Sequence, residues 1–191
     1  MKWQWKLARI AGIDVYMHAT FLILIGWVAY SHWTEQGTLD AVISGVFFIL
    51  LLFAFVVMHE YGHALTARKF GIKTRDITLY PIGGVARLER MPEKPIEELW
   101  VALAGPAVNV VIAIVLFGYL LLTRTFEPFT SLTISTGSFI ERLMIVNLWL
   151  VGFNLIPAFP MDGGRVLRAL LGLRMEYVRA TQIAANVGQA F

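Results

Sequence analysis

The chain has 191 residues, of which 58% are hydrophobic and only 15% are charged, and its mean hydropathy is +0.67. Soluble domains carry about 25% charged residues, so this composition argues against a soluble single domain and against a disordered chain. The absence of cysteine excludes a disulfide scaffold, a cysteine zinc site and a cysteine nucleophile. The net charge of +3 is small, so the positions of the basic residues are more informative than their sum.

Four segments without Asp, Glu, Lys or Arg, each 19 to 25 residues long, follow one another along the chain. An α-helix rises about 1.5 Å per residue, so about 20 residues cross a hydrocarbon core of roughly 30 Å. The pattern predicts an all-α polytopic membrane protein, a transmembrane helix bundle forming one domain over residues 1–191. The predicted spans lie near residues 15–33, 41–66, 99–122 and 140–159.

Two further interpretations concern the ends of the chain. The uncharged stretch from about residue 180 is too short to cross a membrane, and we interpret it as the first part of a fifth span in a longer protein. The alternative for the first apolar segment is a signal peptide, because three basic residues precede it and Ala29-Tyr30-Ser31 resembles a cleavage site. Three more spans follow, which favours the transmembrane interpretation.

The basic residues predict how the spans are oriented. Fourteen of the sixteen Lys and Arg residues lie in the N-terminal segment, in residues 68–98 or in residues 163–179. Only Arg124 and Arg142 lie on the other side, at the ends of one loop. Because cytoplasmic segments carry the excess of basic residues, the three basic segments are predicted to be cytoplasmic.

The polar connection over residues 68–98 is short and rich in glycine. Its apolar residues predict short strands on either side of the sequence Pro81-Ile82-Gly83-Gly84. The glycine pair permits a turn or a close approach of the backbone to another group.

The sequence His59-Glu60-Tyr61-Gly62-His63, an HExxH motif, ends the second predicted span. Residues i and i+4 share one helical face, so both imidazoles can reach one zinc ion. Glu60 lies about 100° round the helix and can act as general base toward a water molecule that zinc makes acidic. A glutamate between two histidines at the end of a span is expensive without a function, which argues against a chance match.

A catalytic zinc site needs a third protein ligand and one open position. His18 lies on the predicted cytoplasmic side but at the interface, and His32 lies about a membrane thickness away. Asp162, at the cytoplasmic end of the fourth span, is the best candidate, because Pro157 and Pro160 break the helix before it. The alternative for Asp162 is a helix N-cap for a following interfacial helix over residues 163–173.

Asparagines within spans need separate interpretations. Asn154 precedes the broken backbone, and we favour a role at the site for it. Asn109, one turn after Gly105, is interpreted as a helix-packing residue, since small and amide residues let helices associate closely. Asn147 is interpreted in the same way.

The order of these motifs resembles the site-2 protease family of intramembrane zinc metalloproteases. The resemblance rests on the HExxH motif, on the Asn-x-x-Pro-x-x-Pro-x-Asp-Gly-Gly sequence beginning at Asn154, on Gly105-Pro106-Ala107-Val108-Asn109, and on the glycine-rich connection. It implies about six spans in the whole family, with this chain ending in the fifth. It also implies one zinc ion per chain held by His59, His63 and Asp162, with Glu60 as the catalytic base. Asn154 is implied to hold the substrate or the developing oxyanion.

The expected function is hydrolysis of peptide bonds in transmembrane segments of other membrane proteins within the lipid bilayer; no nucleic-acid partner is expected. A peptide held in a helix must be locally unwound before cleavage, and the Gly83–Gly84 connection is a candidate strand edge for binding it. Two alternatives use the same residues: a divalent-metal transporter and a scaffold with a structural zinc. The absence of a visible repeat disfavours the first, and the absence of cysteine disfavours the second.

Overall fold

The structure, a computed structural model, describes residues 3–123 and 137–189. Arg124, one of the two basic residues expected on the far side, lies outside the described residues. Within them the chain forms ten elements in this order: β1 (Gln4–Ile10), β2 (Ile13–His18), α1 (Phe21–Gln36), α2 (Leu39–Lys69), β3 (Thr74–Tyr80), β4 (Gly83–Leu88), α3 (Pro95–Thr123), α4 (Phe139–Asn154), α5 (Asp162–Gly172) and α6 (Tyr177–Gln189).

The four strands form one mixed sheet in the order β1-β2-β3-β4. The β1–β2 and β3–β4 pairs are antiparallel, whereas β2 and β3 run parallel. Strands on both sides of the Pro81–Gly84 sequence are confirmed, but the two N-terminal strands were not predicted, so the chain is mostly helical rather than all-α.

The predicted start of the first span, near residue 15, is wrong. Residues 13–18 form strand β2, and helix α1 begins at Phe21. Ile13 and Val15 are buried while the intervening Asp14 is less so, which is the alternation of a strand with one covered face. Counting uncharged residues cannot detect this alternation, so strand residues were included in the helix.

The sheet is attached to the C-terminal half of α2. Ile13 and Ile77 from the sheet pack with Ala64 of α2 in one buried cluster. The Tyr61 hydroxyl donates to the Ile10 carbonyl at 3.0 Å, which ties the turn between β1 and β2 to the same helix. The N-terminal strands therefore lie at the end of α2 that carries the HExxH motif.

Two helices, α2 and α3, are long and apolar enough to cross a membrane. Their bounds extend the predicted spans 41–66 and 99–122 by a few residues at most ends. Thr38 caps α2 by accepting a hydrogen bond from the Ala41 amide, and Arg68 and Lys69 lie in its last turn, where the helix dipole favours cations.

The helix predicted for the fourth span ends before residue 159. Helix α4 has 16 residues and ends at Asn154, and the backbone is irregular until α5 begins at Asp162. Pro157 and Pro160 explain this, because proline cannot donate a backbone hydrogen bond within a helix. The helix expected from about residue 180 begins earlier, at Tyr177.

Candidate metal centre

The two histidines of the HExxH motif point from α2 toward one position. His59 and His63 are 5% and 4% exposed, and their Nε2 atoms lie 3.1 Å apart. The Nδ1 atom of His63 lies 2.7 Å from the carbonyl oxygen of Val101 in α3. A carbonyl only accepts, so His63 Nδ1 carries the proton and Nε2 keeps a lone pair for a metal.

Asp162, the first residue of α5, completes the group. Its Oδ2 lies 3.2 Å from His59 Nε2 and 3.1 Å from His63 Nε2. The N-cap of α5 is Met161, and no side chain caps this helix. The helix-cap alternative for Asp162 is therefore wrong, and its carboxylate instead joins the two histidines.

The electrostatics of Asp162 reflect this arrangement. Burial by itself would raise the pKa of the Asp162 carboxyl, but its close contacts with the His59 and His63 rings outweigh burial and hold the pKa well below its usual range. The group is therefore an ionised carboxylate at neutral pH, which is the form that binds a metal.

The spacing of the three ligand atoms fits a zinc ion. Ligands at about 2.0–2.1 Å from a tetrahedral zinc lie roughly 3.3 Å from one another. The three interatomic distances of 3.1, 3.1 and 3.2 Å form a nearly equilateral triangle close to that size. Two imidazoles and one carboxylate on three corners leave the fourth position free, as in catalytic sites.

Helix α3 gives this group its space. A Cβ atom at Gly105 would lie 2.7 Å from His59 Nε2 and would also overlap the His63 ring. Only glycine therefore allows α3 to pack directly against the Nε2 side of both imidazoles.

Glu60 faces the same cavity from α2 and contacts the sheet. Its Oε2 accepts a hydrogen bond from the Ala86 amide of β4 at 3.1 Å. A Cβ atom at Gly84 would lie 2.8 Å from Glu60 Cγ, so the glycine allows the strand to approach the carboxylate. The strand edge and Glu60 are thus in direct contact.

A cavity of about 440 Å³ contains the three ligands and Glu60. Strand β4 and the preceding turn line part of it, and so does Asn154 at the end of α4. The Asn154 Nδ2 donates to the Leu150 carbonyl at 3.0 Å, which uses one of its two amide hydrogens. The predicted substrate residue therefore lies beside the metal group with one donor left.

The remaining histidines lie away from the metal group. The His18 Nδ1 is 2.8 Å from the Thr20 hydroxyl, just beyond the end of β2. The His32 Nδ1 lies 3.0 Å from the Val28 carbonyl of its own helix. Among the described residues, the group that could hold a metal does not include His18 or His32, in agreement with the prediction.

Sequence reasoning missed a buried ion pair that joins α5, the helix of Asp162, to α3. Glu98, in the first turn of α3, is fully buried and accepts hydrogen bonds from Arg168 of α5 and from the Tyr177 hydroxyl. The Arg168 guanidinium also lies over the Tyr177 ring. Glu98 directly precedes the third uncharged run, so the signal available was a carboxylate at the start of a span and an arginine six residues after Asp162.

Arg165 was also missed, although it lines the main cavity. Its Nη1 lies 4.0 Å from Asp162 Oδ1, the carboxylate oxygen that does not face the histidines. Its position one turn after Asp162 brings a positive charge to the edge of the metal group.

Comparisons with known proteins identify the family of the chain. Residues 47–141 and 126–191 match the model of peptidase family M50. The chain is 40% identical over 190 residues to the zinc metalloprotease MJ0392 of Methanocaldococcus jannaschii, covering 100% of this chain and 52% of that protein. It is 35% identical over 193 residues to the putative zinc metalloprotease sll0528 of Synechocystis, covering 97% of this chain and 49% of that protein.

A solved structure agrees with these relatives. The site-2 protease from Methanocaldococcus jannaschii superposes with a TM-score of 0.67 at 39% identity, covering 98% of this chain and 81% of that chain. The chain spans about half the length of the curated relatives named above. Their names give no support to a metal transporter. The motifs, the fit to zinc and these matches show that the chain belongs to peptidase family M50, the site-2 protease family.

Proposed function

We propose that this chain carries the catalytic site of an intramembrane zinc metalloprotease, which hydrolyses peptide bonds in or near transmembrane segments of membrane-protein substrates. The observation that carries the proposal is the convergence of His59, His63 and Asp162 on one point in a cavity that Glu60 also faces. Their assigned roles are three zinc ligands and a general base.

The chemistry follows from these positions. The three ligands would hold the zinc ion, which would supply Lewis-acid chemistry that lowers the pKa of water toward neutrality. Glu60 takes a proton from the attacking water, and the Ala86 amide holds the Glu60 carboxylate in place. The free amide hydrogen of Asn154 is available to the developing oxyanion of the scissile carbonyl.

Strand β4 is proposed to bind the unwound substrate. It is an edge strand, and the Ala86 amide points away from β3 toward Glu60. An extended peptide that pairs with this edge receives main-chain hydrogen bonds in place of those lost from its own helix. The same pairing brings its backbone past Glu60 and the metal group.

The proposed arrangement in the membrane has four spans with the active-site end in the cytoplasm. Helices α1 and α4 have 16 residues each, about 24 Å, so their flanking residues complete the crossing. Pairing of β2 with β3 brings the basic N-terminal segment to the same side as the basic connection 68–98. A common side for these segments supports the predicted orientation.

The test compares the full-length protein with its Glu60→Gln variant in cells. Neutral glutamine keeps the size of the side chain but cannot accept the proton, so zinc content is expected to stay the same while cleavage falls by about 10²–10⁴-fold. N-terminal proteomics should find new protein termini within transmembrane segments only with the wild type.

Glu93→Gln is the matched control, because Glu93 is an exposed glutamate in the polar connection after β4. It should leave both zinc content and cleavage unchanged. Equal sets of new termini in wild type and Glu60→Gln would contradict the proposal, as would full cleavage by protein stripped of zinc.

A further inference from the structure

A second cavity, of about 230 Å³, adjoins the catalytic one. It shares His59, Glu60 and Asn154 with the larger cavity. Val56 and Leu150, each one helical turn before a shared residue, extend it along α2 and α4 beside Gly83 and Gly84. A group in this cavity therefore lies immediately beside the reacting centre.

Asn109 of α3 also lines this cavity, and it is the polar lining side chain to which the proposed catalysis gives no role. It is 1% exposed, and its Oδ1 has no hydrogen-bond partner among the described residues. The other two span asparagines, Asn147 and Asn154, each donate Nδ2 to a carbonyl of their own helix, at 2.9 and 3.0 Å. A buried amide without a partner is destabilising and calls for an explanation such as a bound ligand.

We propose that this cavity is a subsite for one substrate side chain next to the scissile bond, and that Asn109 hydrogen-bonds the uncharged polar end of that side chain. The inference rests on the proposed function and names a determinant of its specificity. It replaces the packing role that the sequence suggested for Asn109.

The chemistry of the cavity selects the kind of side chain. Val56, Leu150 and Phe153 form apolar walls, which disfavour a charged group, and the Glu60 carboxylate repels an acidic one. An amide both donates and accepts, so it pairs with another amide or with a hydroxyl. Asparagine and serine are also poor helix formers, so the same residue assists local unwinding of the substrate.

The experiment uses the full-length enzyme and a single-span substrate identified by the proteomic comparison above, both in liposomes. Each of the four residues on either side of the mapped bond is replaced in turn by Asn and by Leu, which are similar in size. The wild type should favour Asn over Leu in kcat/KM by roughly tenfold at one position.

Asn109→Leu should abolish or reverse that preference at the same position and leave the other seven positions unchanged. Asn109→Ala is a second variant in case leucine disturbs packing, and zinc content reports the integrity of both. Asn147→Leu is the matched control, because Asn147 is equally buried with an unpaired Oδ1 but does not line the cavity. It should retain the wild-type preference.

If the wild type does not prefer Asn over Leu at any position, the inference is wrong while the proposed function stands. The same holds if Asn109→Leu keeps the preference, or if Asn147→Leu loses it. If wild type and Glu60→Gln cleave no substrate differently, the proposed function falls and this inference falls with it.

Discussion

His63 is fixed at both of its ring nitrogens. Val101 accepts from Nδ1, and Nε2 lies near Asp162. Outer hydrogen bonds of this kind set the tautomer and orientation of a metal-binding imidazole. The Nδ1 atom of His59 is buried and has no such partner among the described residues. The orientation of His59 therefore depends more on what packs around it, and Gly105 of α3 lies close against its ring.

Gly105→Ala is expected to lower zinc affinity by tenfold or more, because the new methyl group overlaps both imidazoles. Competition with a fluorescent zinc chelator measures this directly. Gly118→Ala is the matched control in the same helix, since a Cβ atom there meets nothing within 4 Å. Unchanged zinc affinity in Gly105→Ala would mean that α3 does not define the space of the site.

At the residue scale, the sequence predicted site residues that lie close together along the chain, but not those brought together by contacts between distant helices. His59, Glu60 and His63 follow from helical geometry within five residues, and the structure has them on one helix. The choice between ligand and cap for Asp162 depended on whether α5 approaches α2, which no local pattern encodes. The same limit explains Asn109 and Arg165, whose positions on the cavity follow from helix packing.

Strand β4 is one of the two edges of the described sheet, and among the described strands it is the one that lines the cavity of the metal group. The opposite edge, β1, lies three strands away. Edge strands invite pairing with another chain, and β1 carries several exposed apolar and charged side chains. The two edges therefore provide an internal comparison for substrate binding.

Cysteine cross-linking should separate these edges. The chain contains no cysteine, so a single Val85→Cys in the Glu60→Gln background can be paired with cysteines scanned along a substrate. Cross-links are expected at alternate substrate positions, because side chains alternate along a strand.

Trp5→Cys on β1 is the control, since Trp5 and Val85 are 49% and 48% exposed. It should give no cross-links. Cross-links without a period of two, or equal yields from both edges, would contradict strand addition at β4.

At the element scale, strand prediction succeeded where turn residues were visible and failed where they were not. Pro81 to Gly84 marked the β3–β4 hairpin. The Ala11–Gly12 turn, in which both residues have positive φ, was not predicted from the sequence. A buried strand that directly precedes a membrane helix is as apolar as the helix, so hydropathy does not show the boundary between them.

The distribution of charge over the whole molecule predicts its orientation. Glu35, at the end of α1, and Arg90, after β4, are both exposed. In intact cells, a membrane-impermeant maleimide should label Glu35→Cys, whereas Arg90→Cys should require lysis. Any cysteine outside these 191 residues is first replaced by serine. Labelling of Arg90→Cys in intact cells would reverse the proposed topology.

Composition alone predicted a membrane protein, because this prediction does not require any knowledge of which residues are in contact. The number of spans does not follow as easily, since α1 and α4 are shorter than the uncharged runs that contain them. The remaining residues of these uncharged runs belong to strand β2 and to the irregular segment that contains Pro157 and Pro160.

The support that α3 gives to the metal group also has a consequence for biosynthesis. His59 and His63 leave the ribosome long before Asp162, which is 99 residues beyond His63. Two imidazoles alone make an incomplete site, and α5 is held against α3 by the pairing of Glu98 with Arg168. Tight metal binding therefore requires that α3 and α5 have both been synthesised and have packed into their final positions. On the proposed function, a nascent or truncated chain that carries the whole HExxH motif but lacks Asp162 is therefore expected to have no peptidase activity.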